Sequence, residues 1–162
     1  MNKYFKTAYK FGTLGGFLSF ISFVILSIIY EDPTNLNLVF GYLVTPIAIF
    51  LAIKFYKDYD NQGYLSFAEG MTVGFMTYFL IGVLSALSIW LFLVASPELF
   101  ETIKATKSAV LEQNKVTILA QVGESSYLST QKSLQGMTAI DVGINDGLWK
   151  IIPGLFFSII IS

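Results

Sequence analysis

Three stretches of this sequence stay free of charge for long enough to cross a lipid bilayer as helix. Residues 11–30 give twenty such positions, 36–53 eighteen and 71–95 twenty-five. At 1.5 Å per residue the first rises about 30 Å, the thickness of a hydrocarbon core. The third is long enough to span with some tilt. A fourth run, 148–162, has fifteen residues, or roughly 22 Å. Backbone amides in hydrocarbon must be satisfied within the protein, and a single apolar run does this only as a helix. The expected fold is therefore all-α: a polytopic membrane protein with a four-helix transmembrane bundle.

Composition closes off most other classes. Apolar residues make up 54% of the chain and charged residues 13%, against roughly 25% charge in a soluble domain. Mean hydropathy is +0.66. All ten cations are lysine, set against eleven acids, so there is no basic patch for nucleic acid. Without Cys, disulfides, thiolate chemistry, Fe–S clusters and lipoprotein acylation are excluded. Without His, the commonest metal ligand and the commonest general base are missing. Ser19, Ser22, Ser27, Ser85 and Ser88 fall within the runs, but a serine nucleophile needs a base beside it. The runs place no Asp or Glu deep in a span. The expectation is no catalytic residue, no cofactor and no metal.

Lysines near the span ends set the expected orientation. Lys3, Lys6 and Lys10 precede the first run, and Lys54 and Lys57 follow the second. The connection between the first two runs has none, and the long one from 96 to 146 dilutes its lysines with acids. The expected protein is a multi-pass resident of a bacterial inner membrane with a cytoplasmic N-terminus. Its spans lie near 11–30, 36–55, 69–95 and 147–162, with an extracytoplasmic helical connection over 96–146. The first run is too long for a signal peptide and exits through Ile28-Ile29-Tyr30-Glu31-Asp32, with no small-residue cleavage site. Trp90 and Trp149 are expected to share the outer interface, as aromatic belts do. The fourth run falls short of a bilayer. This predicts a natural chain running on for about five to twelve residues, apolar and then lysine-bearing; the alternative is a re-entrant segment.

Within the connection, Ser96-Pro97-Glu98 is a helix-start pattern. Stepping 100° per residue gathers Leu99, Phe100, Ile103, Val110, Leu111 and Ile118 into an arc of roughly 120°. This predicts an amphipathic helix to about Gln121, ended by Gly123, whose apolar stripe (Leu99, Ile103, Val110, Leu111) faces a partner or the membrane surface.

Gly12 and Gly16 in the first span repeat as Gly70 and Gly74, and again as Gly82 and Ala86 in the third. Small residues four apart let helix backbones approach closely in lipid. Packing within the chain's own bundle is the readier reading, homo-oligomerisation the alternative. Ser66-Phe67-Ala68-Glu69 is a capping box ahead of the third span, with Ser66 and Glu69 as its reciprocal partners. Asp58-Tyr59-Asp60 reads as a solvated loop rather than a metal-binding DxD. Asp146 and Lys150, four apart, read as an interfacial ion pair with the lysine snorkelling outward; the sharper alternative is a buried relay. Pro46 and Pro153 each remove a ladder donor inside a span.

The stretch Asn61-Gln62-Gly63-Tyr64-Leu65-Ser66-Phe67-Ala68-Glu69-Gly70, with the Gly-rich start Lys10-Phe11-Gly12-Thr13-Leu14-Gly15-Gly16, resembles a family of small Bacteroidota inner-membrane proteins known as domain of unknown function 4199. The resemblance implies a four-span membrane protein and carries over no catalytic residues. It lacks here only the basic tail expected after the last span.

On these grounds the expected function is non-enzymatic: an accessory or structural subunit packing against a larger inner-membrane complex within the lipid bilayer, with homo-oligomerisation open and no nucleic acid. The alternative is a small oligomeric transporter or channel module, with Tyr42, Thr45, Pro46, Tyr78, Ser85 and Ser88 lining a narrow path.

Overall fold

The computed structural model describes residues 2–162. Four helices are long and apolar enough to cross a membrane. They are α1 (Lys3–Ile29), α2 (Thr34–Phe55, continued by a π-helical turn Tyr56–Asp60), α3 (Phe67–Ala95) and α6 (Ala139–Ile161). Between the last two lie α4 (Pro97–Gln113) and α5 (Lys115–Gln135). The fold is the expected all-α four-helix membrane bundle with helices inserted between spans three and four.

The four long helices run alternately up and down. Helix α3 packs most extensively on α6 and α1, while α2 touches all three of the others, so the order around the bundle is α1, α2, α6, α3. Outward faces carry large apolar side chains such as Phe17, Leu43, Phe156 and Ile160, as lipid demands. Inward faces are built from small residues, which is how helices associate where lipid removes the hydrophobic drive. A Cβ on Gly12 or Gly16 would lie 2.8 Å from Leu80 or Leu84 of α3. One on Gly70 or Gly74 would meet Ser162 or Ser158 of α6, and one on Gly82 would lie 2.9 Å from the Gly147 carbonyl. Ala86 faces Gly147 and Gly143. All six small residues therefore admit a neighbouring helix of the same chain.

Helix α6 starts nine residues before the run that announces it. Its 23 residues rise about 34 Å, so the shortfall expected of the fourth span is made up on its N-terminal side. Asp141 accepts from the Thr138 amide (2.8 Å) and hydroxyl (2.6 Å) and starts the helix. Trp149 consequently lies ten residues into α6, about 15 Å along its axis, and not beside Trp90 at an interface.

The inserted helices also differ from expectation. The first kinks at Asn114 and runs on into α5, which breaks at Gly123 (φ +83°, a left-handed conformation favouring glycine) as expected, and the helix that resumes folds back on α4, with Tyr127 reaching Glu112. Leu99 and Ile103 pack against the chain's own bundle. Ile103 is fully buried in a cluster with Phe23, Ile89, Leu93 and Val142, against which Leu99 and Phe100 also pack. The stripe caps its own bundle, because Pro97 starts α4 directly on the end of α3. Val110 is half exposed and Leu111 partly buried, both on the groove between α4 and α5.

A second apolar cluster closes the opposite end: Ile49, Ala52, Ile53, Tyr56, Val73 and Tyr78. Here the expected capping box is present. The Ser66 amide donates to Glu69 Oε2 (3.0 Å) and the Glu69 amide to Ser66 Oγ (3.3 Å). Glu69 Oε1 also accepts from the Tyr56 hydroxyl (3.0 Å), tying α3 to the end of α2. Asp60 accepts from buried Thr7 of α1 at 2.5 Å, so that half of the DxD is a helix-to-helix tie and not a solvated loop.

Candidate polar site in the bundle core

Between the two apolar clusters the bundle interior is polar. Each helix contributes through its small-residue face: Ser19 from α1; Asn37, Gly41 and Thr45 from α2; Ser85 from α3; Asp146 and Lys150 from α6. The spacing 37, 41, 45 puts three residues in one row on α2, and 146, 150 does the same on α6.

Asp146 is the hub. Its Oδ2 takes the Lys150 ammonium at 2.5 Å and the Ser85 hydroxyl at 2.6 Å, and its Oδ1 takes the Asn37 amide at 2.8 Å. Ser85 has one proton, which goes to the carboxylate, so Ser19 donates to Ser85 at 3.2 Å. Lys150 is 1% exposed and Asp146 5%. The pair is therefore not the snorkelling interfacial pair expected from its position in the apolar run. With α6 beginning at Ala139, the two residues sit about 10 and 16 Å along the helix. An acid does lie deep in a span, contrary to the expectation drawn from the uncharged runs.

Gly41 explains how the lysine is accommodated. A Cβ there would lie 2.9 Å from Lys150 Cε and 3.4 Å from its Nζ. The side chain thus crosses flat against the α2 backbone instead of reaching for an interface. Removing an ion pair from water is costly unless its remaining groups are hydrogen-bonded, and the three donors on Asp146 serve that end. The arrangement is not saturated. Asn37 Oδ1 and Thr45 Oγ1 are buried with no hydrogen-bond partner among the described residues.

A cavity of about 610 Å³ opens above this layer, between the starts of α2 and α6 and beneath α4 and α5. Its floor includes Thr34 and Val142, one helical turn before Asn37 and Asp146. Lys107 of α4 closes one side, bonding Asp32 Oδ2 at 2.9 Å and the Thr34 hydroxyl at 2.7 Å. Asn145 and Asn35 stand on its wall.

The path expected from Tyr42, Thr45, Pro46, Tyr78, Ser85 and Ser88 does not form. Tyr42 is on the lipid-facing side, Tyr78 packs against Gly154 and Phe75, and only Thr45 and Ser85 reach the polar layer. Asn37, Ser19 and Gly41 carry the site and were missed. The available signal was an asparagine inside an apolar run with a glycine and a threonine at four-residue spacing.

A family model described as Protein of unknown function (DUF4199) matches residues 10–162. The chain belongs to the DUF4199 family. No curated protein and no solved structure matches it. Membership in DUF4199 brings no residue roles, so the chemistry of this member is argued from its own geometry. Among the described residues, no three metal-ligating side chains come together.

Proposed function

We propose that this DUF4199 protein is a non-enzymatic, multi-pass membrane protein that moves protons at the buried Asp146–Lys150 pair, as a small transport module of a bacterial inner membrane. One observation carries the reading: a lysine 1% exposed, bonded to an acid inside a transmembrane bundle. Ionisable groups within a span are expensive and mark ion or proton pathways by default. A purely structural polar layer would be satisfied by the serines and Asn37 without either charge. The cavity one turn above the pair supports access from water at one end.

The test is reconstitution of the full chain in liposomes holding a pH dye, under an imposed potassium potential. Proton flux above protein-free liposomes, lost in Asp146→Asn, is expected. Flux equal to that of protein-free liposomes overturns the reading.

A second reading keeps the accessory-subunit role. What supports it is the apolar exposure of α5 outside the bundle, with Val116 82% exposed and Val122 and Leu128 more than half exposed. A tagged full chain purified in mild detergent should then bring a stoichiometric companion, and a lone chain removes this reading.

A further inference from the structure

We propose that the cleft between α2 and α6 is a water-binding site, and that bound water bridges the Lys150 ammonium to Asn37 and Thr45 and onward to the cavity under α4 and α5. An ammonium has three protons to donate, and only Asp146 receives one. The two buried acceptors without partners, Asn37 Oδ1 and Thr45 Oγ1, flank Gly41 on the same row of α2, one turn to either side. Lys150 Nζ lies against Gly41 itself. Neither acceptor bonds the ammonium directly, and a water between would serve donor and acceptor together. Buried waters are held by two to four polar groups, and here a free donor and two free acceptors share one row along α2.

Water reaches the cleft from one end only. Thr34 and Val142 separate it from the cavity by a single turn. Toward the other end, Ile49, Ile53, Val73 and Tyr78 form a dry plug. The inference deepens the proton-moving reading, on which its purpose rests, but its test does not use flux.

The experiment is solid-state NMR of the full chain in lipid nanodiscs, following polarisation transfer from water to labelled Asn, Thr, Lys and Ile. Expected is transfer to the Asn37 amide and to Thr45 as fast as to Asn145 on the cavity wall, with Ile81, fully buried, remaining slow. Thr45→Val keeps the shape, and transfer to Lys150 should slow while Asn145 is unchanged. Asn37 and Thr45 as slow as Ile81, or Lys150 indifferent to Thr45→Val, overturns the proposal. A wet cleft in a protein that passes no protons keeps this inference and removes the proton-moving one; flux through a dry cleft does the reverse.

Discussion

At the scale of single residues, the molecule turns on one carboxylate with three donors. Removing one partner of a buried ion pair leaves the other charge stranded, which costs about 3–5 kcal/mol, whereas replacing both by apolar residues is often neutral. Lys150→Met and Asp146→Asn should each destabilise the bundle by that amount. The double variant Asp146→Asn/Lys150→Met should recover most of it, read as unfolding in a detergent titration. Additive losses would mean that the two charges do not act as a pair. The i, i+4 spacing of Asp146 and Lys150 was legible in the sequence, but their burial was not. Burial depends on Asn37 and Ser85, 109 and 61 positions away, and on a missing side chain at Gly41 that makes room for the lysine stem. No local pattern around residue 146 carries that information.

At the scale of elements, the glycines divide by what stands opposite. A Cβ on Gly147 would lie 2.7 Å from the Gly82 carbonyl and 2.9 Å from Ala86 Cβ, whereas one on Gly136 would meet nothing closer than 3.6 Å. Backbone cannot step aside, so Gly147→Ala should push α3 from α6 and cost about 1–3 kcal/mol. Gly136→Ala, at φ −84°, should be neutral or stabilising by up to about 1 kcal/mol. Thermal melts of the two variants in one detergent check both. Recurrent four-residue spacing made this packing legible. The start of α6 was not, because Asp141, Asn145 and Asp146 interrupt the hydropathy of a helix that buries one of them and uses another as its cap. The α4–α5 hairpin adds a pH dependence. Glu112 accepts from the Tyr127 hydroxyl at 2.5 Å, and this bond, then Lys115, holds its carboxyl below the usual range. A depressed carboxylate contributes stability above its unfolded pKa, near about 4.3, and that contribution is lost as pH falls through the lower folded value. The distance between spin labels at Ser108→Cys and Ser133→Cys should therefore widen from about pH 6 to about pH 3. Tyr127→Phe should already be wide at the higher pH. A distance independent of pH in the parent chain contradicts the argument.

At the scale of the whole molecule, the remaining question is which end faces the cytoplasm. Both described ends of the chain lie together: Lys3 bonds Asn61 in the turn after α2, and Ser162 packs against Gly70 at the start of α3. That end carries Lys3, Lys6, Lys10, Lys54 and Lys57 with three acids, Asp58, Asp60 and Glu69. The end bearing α4 and α5 carries Lys104, Lys107, Lys115 and Lys132 with seven acids. Lysine close to the spans favours retention on the cytoplasmic side, so the lysine-rich end should face inward and the cavity outward. Lys3→Cys should react with a membrane-impermeant thiol reagent only after the cells are opened. Asn35→Cys, on the cavity wall, and Gln131→Cys, on α5, should react in intact cells stripped of any outer membrane. Since these 162 residues hold no cysteine, each signal from them belongs to the introduced residue alone. Labelling of Lys3→Cys from the same side as Gln131→Cys would contradict the up-and-down bundle. Reversal of all three would keep the bundle and turn the cavity one turn above Asp146 toward the cytoplasm.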